Sequence, residues 1–263
     1  MKLPDLDARF AAAKKMVLEA GEIAMASFRK PEMLGLRSKG LHDPVTEADL
    51  AIDHRLRQII AEYFPEDGIL SEEIGGSNAR NLWVIDPIDG TQNFARGIGH
   101  FAISIAFVSQ GRCEIGVVYN PATGEIFSAK RGCGAFCHDE RLAVREPAGP
   151  EDAIIDAGYS TKLPVADYIA LLGRLTAAEF GFVQNGSAAM GLAHVAAGRL
   201  DGYCELLLQS WDVMAGALLI EEAGGWVSSF SANDDLTQGK AILASTPSLQ
   251  ARLIEITGIG AGA

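Results

Sequence analysis

The spacing between apolar residues changes along this chain, and each change predicts a different element of secondary structure. Apolar positions recur at helical spacing over residues 5–29, which predicts a long amphipathic helix. Residues 31–45 contain two Pro and two Gly and are predicted to form a loop. A second helix is expected to begin after Thr46, a good N-cap residue, and to end near Tyr63.

Short runs of apolar and β-branched residues in the middle of the chain predict strands. The predicted strands are 69–71, 82–85, 101–108, 113–119 and 125–129. Tight turns join the last three, so they should form an antiparallel meander. The first half is therefore expected to be helices followed by a mostly antiparallel sheet.

The second half alternates strands and helices after a weak boundary at residues 147–150. Its predicted strands are 153–157, 200–205 and 241–244, and its predicted helices are 165–178, 187–197, 211–223 (N-capped by Ser210) and 248–256. The boundary lacks a flexible linker. We therefore expect one domain over residues 1–263 with two halves, roughly 1–148 and 149–263.

Composition and charge exclude several classes of protein. The chain has 263 residues, of which 48% are hydrophobic, enough for a large core. A net charge of −12 without a long Lys/Arg run argues against sustained binding to nucleic acid or an anionic membrane. No apolar run approaches the ~18 residues of a membrane helix. The N-terminus lacks the apolar segment of a signal peptide, and the four cysteines are expected to be free thiols, so a cytoplasmic location is predicted.

Two aspartates at the end of a core strand give the clearest chemical signal. Asp86 and Asp89 follow the apolar run 82–85, on what we predict to be a tight turn. Two carboxylates this close repel each other unless a cation lies between them. Gly90 and Thr91 add backbone N–H groups beside them. This combination predicts a metal site that handles a phosphate ester.

Further acidic residues occur at the ends of predicted elements. They are Asp43, Asp49, Glu72, Glu73 and Asp212. Oxygen ligands without an accompanying histidine favour Mg²⁺ over Zn²⁺. For Asp49 and Asp212, which lie in first helical turns, a favourable interaction with the helix dipole is a serious alternative. For Glu73 alone we favour an ordinary surface charge.

Four segments carry a resemblance to a known family. They are 43–49, 71–73, 83–94 and 211–225, and together they make the chain similar to the inositol monophosphatase family of Mg²⁺-dependent, lithium-sensitive phosphatases. The resemblance runs from Lys39 to Gly225. It implies an α+β or mixed α/β fold, a layered αβαβα sandwich of the type shared with fructose-1,6-bisphosphatase.

The resemblance also implies two or three Mg²⁺ ions and their ligands. Glu72, Asp86 and the main-chain carbonyl of Ile88 match the ligands of the tightest ion, and Glu72 also matches a residue that helps to hold a third. Asp86, Asp89 and Asp212 match those of the second.

Catalytic and substrate-binding residues are implied in the same way. Asp49 and Thr91 match the pair that orients the attacking water, and we expect a hydrogen bond between them. With Glu72 they form the predicted catalytic set. The predicted substrate-binding residues are Gly90, Thr91, Ser187, Ala188, Glu205 and Asp212, and Lys39 falls in a mobile loop over the metals.

We expect the chain to hydrolyse a small phosphate monoester, most directly myo-inositol 1-phosphate. The alternatives are histidinol phosphate, a sugar phosphate or 3′-phosphoadenosine 5′-phosphate. Relatives acting on histidinol phosphate or the adenosine compound often carry Lys after the Asp-Gly-Thr segment; Gln92 stands there in this chain. A different class, a non-enzymatic regulator that binds protein or RNA, is disfavoured because the acidic ligands are retained. The resemblance further implies a homodimer.

Overall fold

The computed structural model describes residues 5–30, 37–40, 43–76, 79–228 and 235–260, with only the backbone described for 37–40 and 43–45. Every helix predicted from the sequence forms, to within a few residues at each end. A short helix after Asp89 was not predicted. The helices are α1 (Leu6–Ser27), α2 (Glu47–Tyr63), α3 (Thr91–Ala95), α4 (Val165–Ala177), α5 (Ala188–Ala196), α6 (Ser210–Glu222) and α7 (Gln250–Thr257).

The described strands fall into three sheets. They are β1 (Arg37–Gly40), β2 (Asp43–Val45), β3 (Gly68–Ser71), β4 (Gly75–Gly76), β5 (Asn81–Asp89), β6 (Ala102–Ser109), β7 (Arg112–Asn120), β8 (Glu125–Lys130), β9 (Ala135–Cys137), β10 (Glu140–Arg141), β11 (Ile154–Ala157), β12 (Gly181–Val183), β13 (Gly202–Leu208), β14 (Trp226–Val227) and β15 (Lys240–Ser245). The larger sheets have the orders β10-β9-β8-β7-β6-β5-β3-β4 and β12-β11-β13-β15-β14, and β1 pairs with β2.

The predicted meander is present as β6, β7 and β8, which pair antiparallel in sequence order. β3 runs parallel to β5, and β11 runs parallel to both β12 and β13. Both large sheets therefore contain parallel and antiparallel pairs, as many folds that combine helices with sheets do.

Helices and sheets stack in five layers. The β5 side chains show the arrangement, because Trp83 and Ile85 join the core against α1 and α2, whereas Leu82 and Val84 join the core against α5 and α6. The five-stranded sheet covers the other side of α5 and α6, and α4 and α7 close the stack. This order confirms the αβαβα sandwich. The central core contains residues of both halves, which supports the proposal that they form one domain.

A buried ion pair ties α1 to the eight-stranded sheet. Arg9 donates to both carboxylate oxygens of Asp67, at 2.8 and 2.9 Å, and its guanidinium lies over the rings of Phe64 and Phe107. Trp83 Nε1 donates to the same carboxylate at 3.0 Å. The Asp67 side chain is only 1% exposed. Removing either charge would leave the other buried and unpaired.

The sequence prediction differs from the structure at several short strands. The predicted loop 31–45 contains the β1–β2 hairpin, in which Pro44 is tolerated because a two-stranded sheet leaves outer edges without ladder partners. The strands β4, β12 and β14 were not predicted, because each has too few residues to show an alternation of apolar and polar positions. Within the described residues, none of the helices has the length and apolar character needed to cross a membrane.

Candidate active site

The end of β5 brings the two predicted aspartates to the wall of a cavity. The strand continues to Asp89, and its pairing with β6 shifts register between Asp86 and Asp89. The predicted tight turn was therefore wrong: a bulge in the strand, at Pro87, re-aims the chain instead. Asp86, Ile88 and Asp89 all line the cavity.

Three carboxylates from distant parts of the chain meet at this point. Glu72 follows β3, Asp86 lies in β5, and Asp212 lies in the first turn of α6, and one oxygen of each is within 4.8 Å of the others. Burial raises the pKa of Asp86 well above its ordinary value, and the nearby Glu72, Asp89 and Asp212 raise it further. Desolvation likewise raises the pKa of Asp212. A divalent cation would relieve this repulsion, and an all-oxygen donor set fits Mg²⁺.

Asp89 lies beside this cluster and is held by the second half of the chain. Its Oδ2 accepts hydrogen bonds from the Ser187 hydroxyl and from the Ala189 N–H at 2.8 Å. Burial raises the pKa of Asp89 to about 6, and these hydrogen bonds oppose the shift. Ser187 is also the N-cap of α5, where its oxygen accepts from Met190 N at 3.3 Å. The predicted substrate residue Ser187 thus bonds directly to a predicted metal ligand.

Gly90 allows the chain to turn closely against the second half. Its φ of 89° lies in the left-handed region, which favours glycine. A Cβ there would lie 3.0 Å from the carbonyl oxygen of Gly186. Gly90, Thr91 and Ala188 line the cavity, as the predicted substrate-binding role requires.

The predicted hydrogen bond between Asp49 and Thr91 is not among those of the described residues. The Thr91 hydroxyl donates to the Ile88 carbonyl oxygen at 2.9 Å. Asp49 instead accepts from the N–H and the hydroxyl of Thr46, at 2.8 and 2.5 Å, which completes a capping box at the start of α2. Burial raises the pKa of Asp49 to about 7, and it does not line the cavity. Both bonds from Thr46 fall on Oδ2, which leaves Oδ1 of Asp49 outside the capping box, and the Thr91 hydroxyl directs its proton to Ile88 instead.

The first turn of α6 presents Asp212 to the site, although the predicted N-cap was wrong. Gln209 occupies the N-cap position, and its N–H donates to Asp212 Oδ2 at 2.9 Å. The Ser210 hydroxyl is used elsewhere, because it donates to the Leu236 carbonyl at 2.7 Å. Lys39 lies in β1, and its side chain is outside the described part of the structure.

The second half supplies the far wall of the cavity, which has a volume of about 550 Å³. Tyr203 Oη donates to Glu205 Oε2 at 2.6 Å. Burial raises the pKa of Glu205 to about 8. A Cβ on Gly158 would lie 1.9 Å from that same oxygen, so this position needs glycine if the pair is to fit.

Sequence reasoning also missed Asp156, Asn185 and Asn93, which line the same cavity. Asp156 accepts from the N–H of Asn185 at 3.3 Å and from its Nδ2 at 3.1 Å, and burial raises the pKa of Asp156 to about 6. Asn93 Nδ2 donates to the Asn185 carbonyl at 2.8 Å, which links the two halves. Asn93 belongs to the 83–94 segment and could have been found there. Asp156 and Asn185 have no local pattern that marks them.

Comparison with known proteins agrees with this arrangement. The model of the inositol monophosphatase family matches residues 5–259. The chain belongs to the inositol monophosphatase family.

Similar proteins cover almost the whole chain. The inositol-1-monophosphatase of Rhizobium meliloti is 40% identical over 215 residues, which are 80% of this chain and 81% of that protein. The Nus factor SuhB of Escherichia coli K12 is 37% identical over 249 residues, 93% and 92% of the two chains. Among solved structures, the Bartonella henselae suhB protein superposes with a TM-score of 0.89 at 34% identity, covering 95% of this chain and 98% of that one. The Thermotoga maritima IMPase gives 0.86 at 31% identity, covering 95% and 97%.

Family membership defines the chemistry at a coarse level. The chain is a phosphoric monoester hydrolase of a Mg²⁺-dependent family that acts on small phosphate monoesters. The acidic cluster at the end of β5 is the part of the described structure that could hold the metal.

Proposed function

We propose that the chain hydrolyses myo-inositol 1-phosphate, using Mg²⁺ held between its two halves. The observation that carries the proposal is the convergence of Glu72, Asp86 and Asp212 to within 4.8 Å in a cavity of about 550 Å³. The Ile88 carbonyl and Asp89 would complete the ligand set. The hydrogen bonds from Ser187 and Ala189 would hold the Asp89 carboxylate in place beside the cation.

The chain's own residues would place the phosphate and the attacking water. Bound Mg²⁺ supplies Lewis-acid stabilisation of phosphoryl oxygens and makes water more acidic. Gly90 and Thr91 line the same cavity, and their N–H groups would donate to the phosphate. The Thr91 hydroxyl lies 2.9 Å from the Ile88 oxygen, close enough to the ligand set to orient a water. Asp49 would join Thr91 only if the Thr91 hydroxyl turned from the Ile88 carbonyl towards the Asp49 carboxylate.

Glu205 favours a polyol as the alcohol part of the substrate. With a pKa of about 8, its carboxyl group is mostly protonated near neutral pH. A protonated carboxyl both donates and accepts hydrogen bonds, which suits ring hydroxyls. The second candidate is histidinol phosphate, because Asp156 and Glu205 both line the cavity and could pair with an amine.

Phosphate release from these substrates, with and without Mg²⁺, tests the proposal. We expect Mg²⁺-dependent hydrolysis and the highest kcat/KM for myo-inositol 1-phosphate. A hundredfold preference for histidinol phosphate, a sugar phosphate or 3′-phosphoadenosine 5′-phosphate would overturn the substrate. Glu72→Gln should abolish activity, whereas Glu73→Gln, next to it but outside the three-carboxylate cluster, should retain it.

A regulatory role is the competing proposal, because several relatives are named Nus factor SuhB. Retention of the complete carboxylate cluster supports hydrolysis instead. A stoichiometric protein or RNA partner in a pull-down, together with no phosphatase activity in Mg²⁺, would favour regulation. Homodimerisation and inhibition by millimolar lithium, both expected from the resemblance, belong to the proposal and can be tested by sedimentation and by lithium titration.

A further inference from the structure

Glu72 is the member of the acidic cluster that lies outside regular secondary structure. It occupies the turn at 72–74, between β3 and β4, and its backbone N–H donates to the Ile85 carbonyl at 3.2 Å. Asp86 and Asp212, in contrast, are fixed by a strand and a helix. A ligand on a turn needs other contacts to hold it in one geometry.

Arg57 forms hydrogen bonds to the residues on both sides of this turn. Its Nη2 donates to the Ser71 hydroxyl at 2.7 Å, directly before the turn, and to the Gly75 carbonyl at 2.5 Å, directly after it. Its Nε donates to Asp53 Oδ1 at 2.5 Å. The Ser71 hydroxyl in turn donates to Asp53 Oδ2. We call Asp53, Arg57 and Ser71 the turn clamp.

The burial of the turn clamp makes it stiff. The Asp53 side chain is 0% exposed and that of Arg57 is 24% exposed, and Ser71 is buried. Charge-assisted hydrogen bonds are shorter and stronger than neutral ones, and a low local dielectric strengthens them further. Asp53 and Arg57 are one turn apart on α2, so the Glu72 turn is fastened to the body of a long helix.

We propose that the turn clamp positions Glu72 for the cation and thereby sets the affinity for Mg²⁺. The inference rests on the proposed metal role of Glu72. Arg57 is a positioning residue and lies outside the cavity wall. Arginine is required because its planar fork bonds three acceptors at once, which the single ammonium of lysine cannot reproduce.

Calorimetric titration of the metal-free protein with Mg²⁺ tests the inference without any turnover. Arg57→Lys keeps the charge, and Ser71→Ala removes only a hydroxyl. We expect both to raise the Kd for Mg²⁺ by about tenfold or more, the usual effect of losing a residue that supports a ligand. At saturating Mg²⁺, KM for the substrate should match that of the wild type, and kcat should recover.

Arg55→Lys is the matched control. Arg55 lies on the same helix and donates to Glu19 on α1 at 2.8 and 3.2 Å, away from the turn. The Kd of the Arg55→Lys variant for Mg²⁺ should stay within about twofold of the wild-type value. Thermal unfolding in EDTA measures how much each variant loses in stability alone. If either Arg57→Lys or Ser71→Ala fails to fold, the Kd of the other variant is enough to test the proposal.

The outcomes separate the clamp from the metal site itself. If the wild type does not bind Mg²⁺, or Glu72→Gln binds it equally well, the proposed metal site fails and the clamp with it. If the wild type binds and Glu72→Gln does not, but both clamp variants bind normally, only the clamp is wrong. Equal weakening in Arg57→Lys and Arg55→Lys would show a general effect of stability and would also overturn the clamp.

Discussion

Glu205→Gln should make the protein more stable, and increasingly so as the pH rises. Burial raises the pKa of Glu205 from 4.5 to about 8 in the folded protein, with only partial compensation from the Tyr203 hydroxyl. Glutamine has nearly the same shape and keeps an acceptor for Tyr203 Oη, but it never has to ionise. The substitution therefore isolates the free energy of burying this carboxylate.

The magnitude follows from proton linkage. The folded wild type keeps the proton up to about pH 8, whereas the unfolded chain releases it near pH 4.5, so unfolding between these values releases a proton. The contribution of protonated Glu205 to the free energy of unfolding is complete below the pKa of the unfolded chain. It decreases as the pH rises towards the pKa of the folded protein and is lost above it. The loss is about 1.4 kcal/mol per pH unit, or about 3 kcal/mol between roughly pH 5 and pH 7.5.

Urea unfolding of both proteins in EDTA, at several pH values, measures this difference. Groups that are unaffected by the substitution cancel in the comparison. Glu255→Gln serves as a control for the exchange of Glu for Gln itself, because the Glu255 side chain is 69% exposed. A constant difference for Glu205→Gln would show that Glu205 is ionised throughout. If Glu205 is ionised, Glu205→Gln should also slow the hydrolysis of an amine substrate more than that of a polyol substrate.

Three further results are expected. Ser187→Ala loses the hydroxyl bond to Asp89 and the N-cap of α5, so the free energy of unfolding should fall by about 2 to 4 kcal/mol in urea titrations; a loss below about 0.5 kcal/mol would contradict the bond. Asp67→Ala strands Arg9 as a buried charge and should cost about 3 to 5 kcal/mol by the same assay, and an unchanged midpoint would refute the ion pair's role. Thr91→Ala should lower kcat more than it raises KM in steady-state assays; an effect on KM alone would remove Thr91 from the water-orienting role.

Local pattern was enough to predict the helices and the first two acids of the proposed metal site, Asp86 and Asp89. Helical and strand periods are set by backbone geometry and one-sided burial, both of which a short window of sequence records. The Asp86–Asp89 segment is equally local, and the family resemblance of segments 71–73 and 211–225 implied its partners Glu72 and Asp212. The αβαβα order followed from the same resemblance.

Alternative pairing partners explain two features that differ from the prediction. The Thr91 hydroxyl donates to the Ile88 carbonyl, and the expected bond to Asp49 is not among those of the described residues. The register shift in β5, which replaces the predicted turn, depends on pairing with β6.

The amino-acid pattern and the family resemblance were sufficient to predict the acids of the proposed metal site and the layers that carry them. The packed structure was needed to show how these acids are held: Asp89 by Ser187, the Glu72 turn by Arg57, and Glu205 in a desolvated pocket beside Tyr203. Such contacts join residues far apart in the chain. Their geometry and their effect on a pKa depend on how whole layers pack, which no short stretch of sequence records.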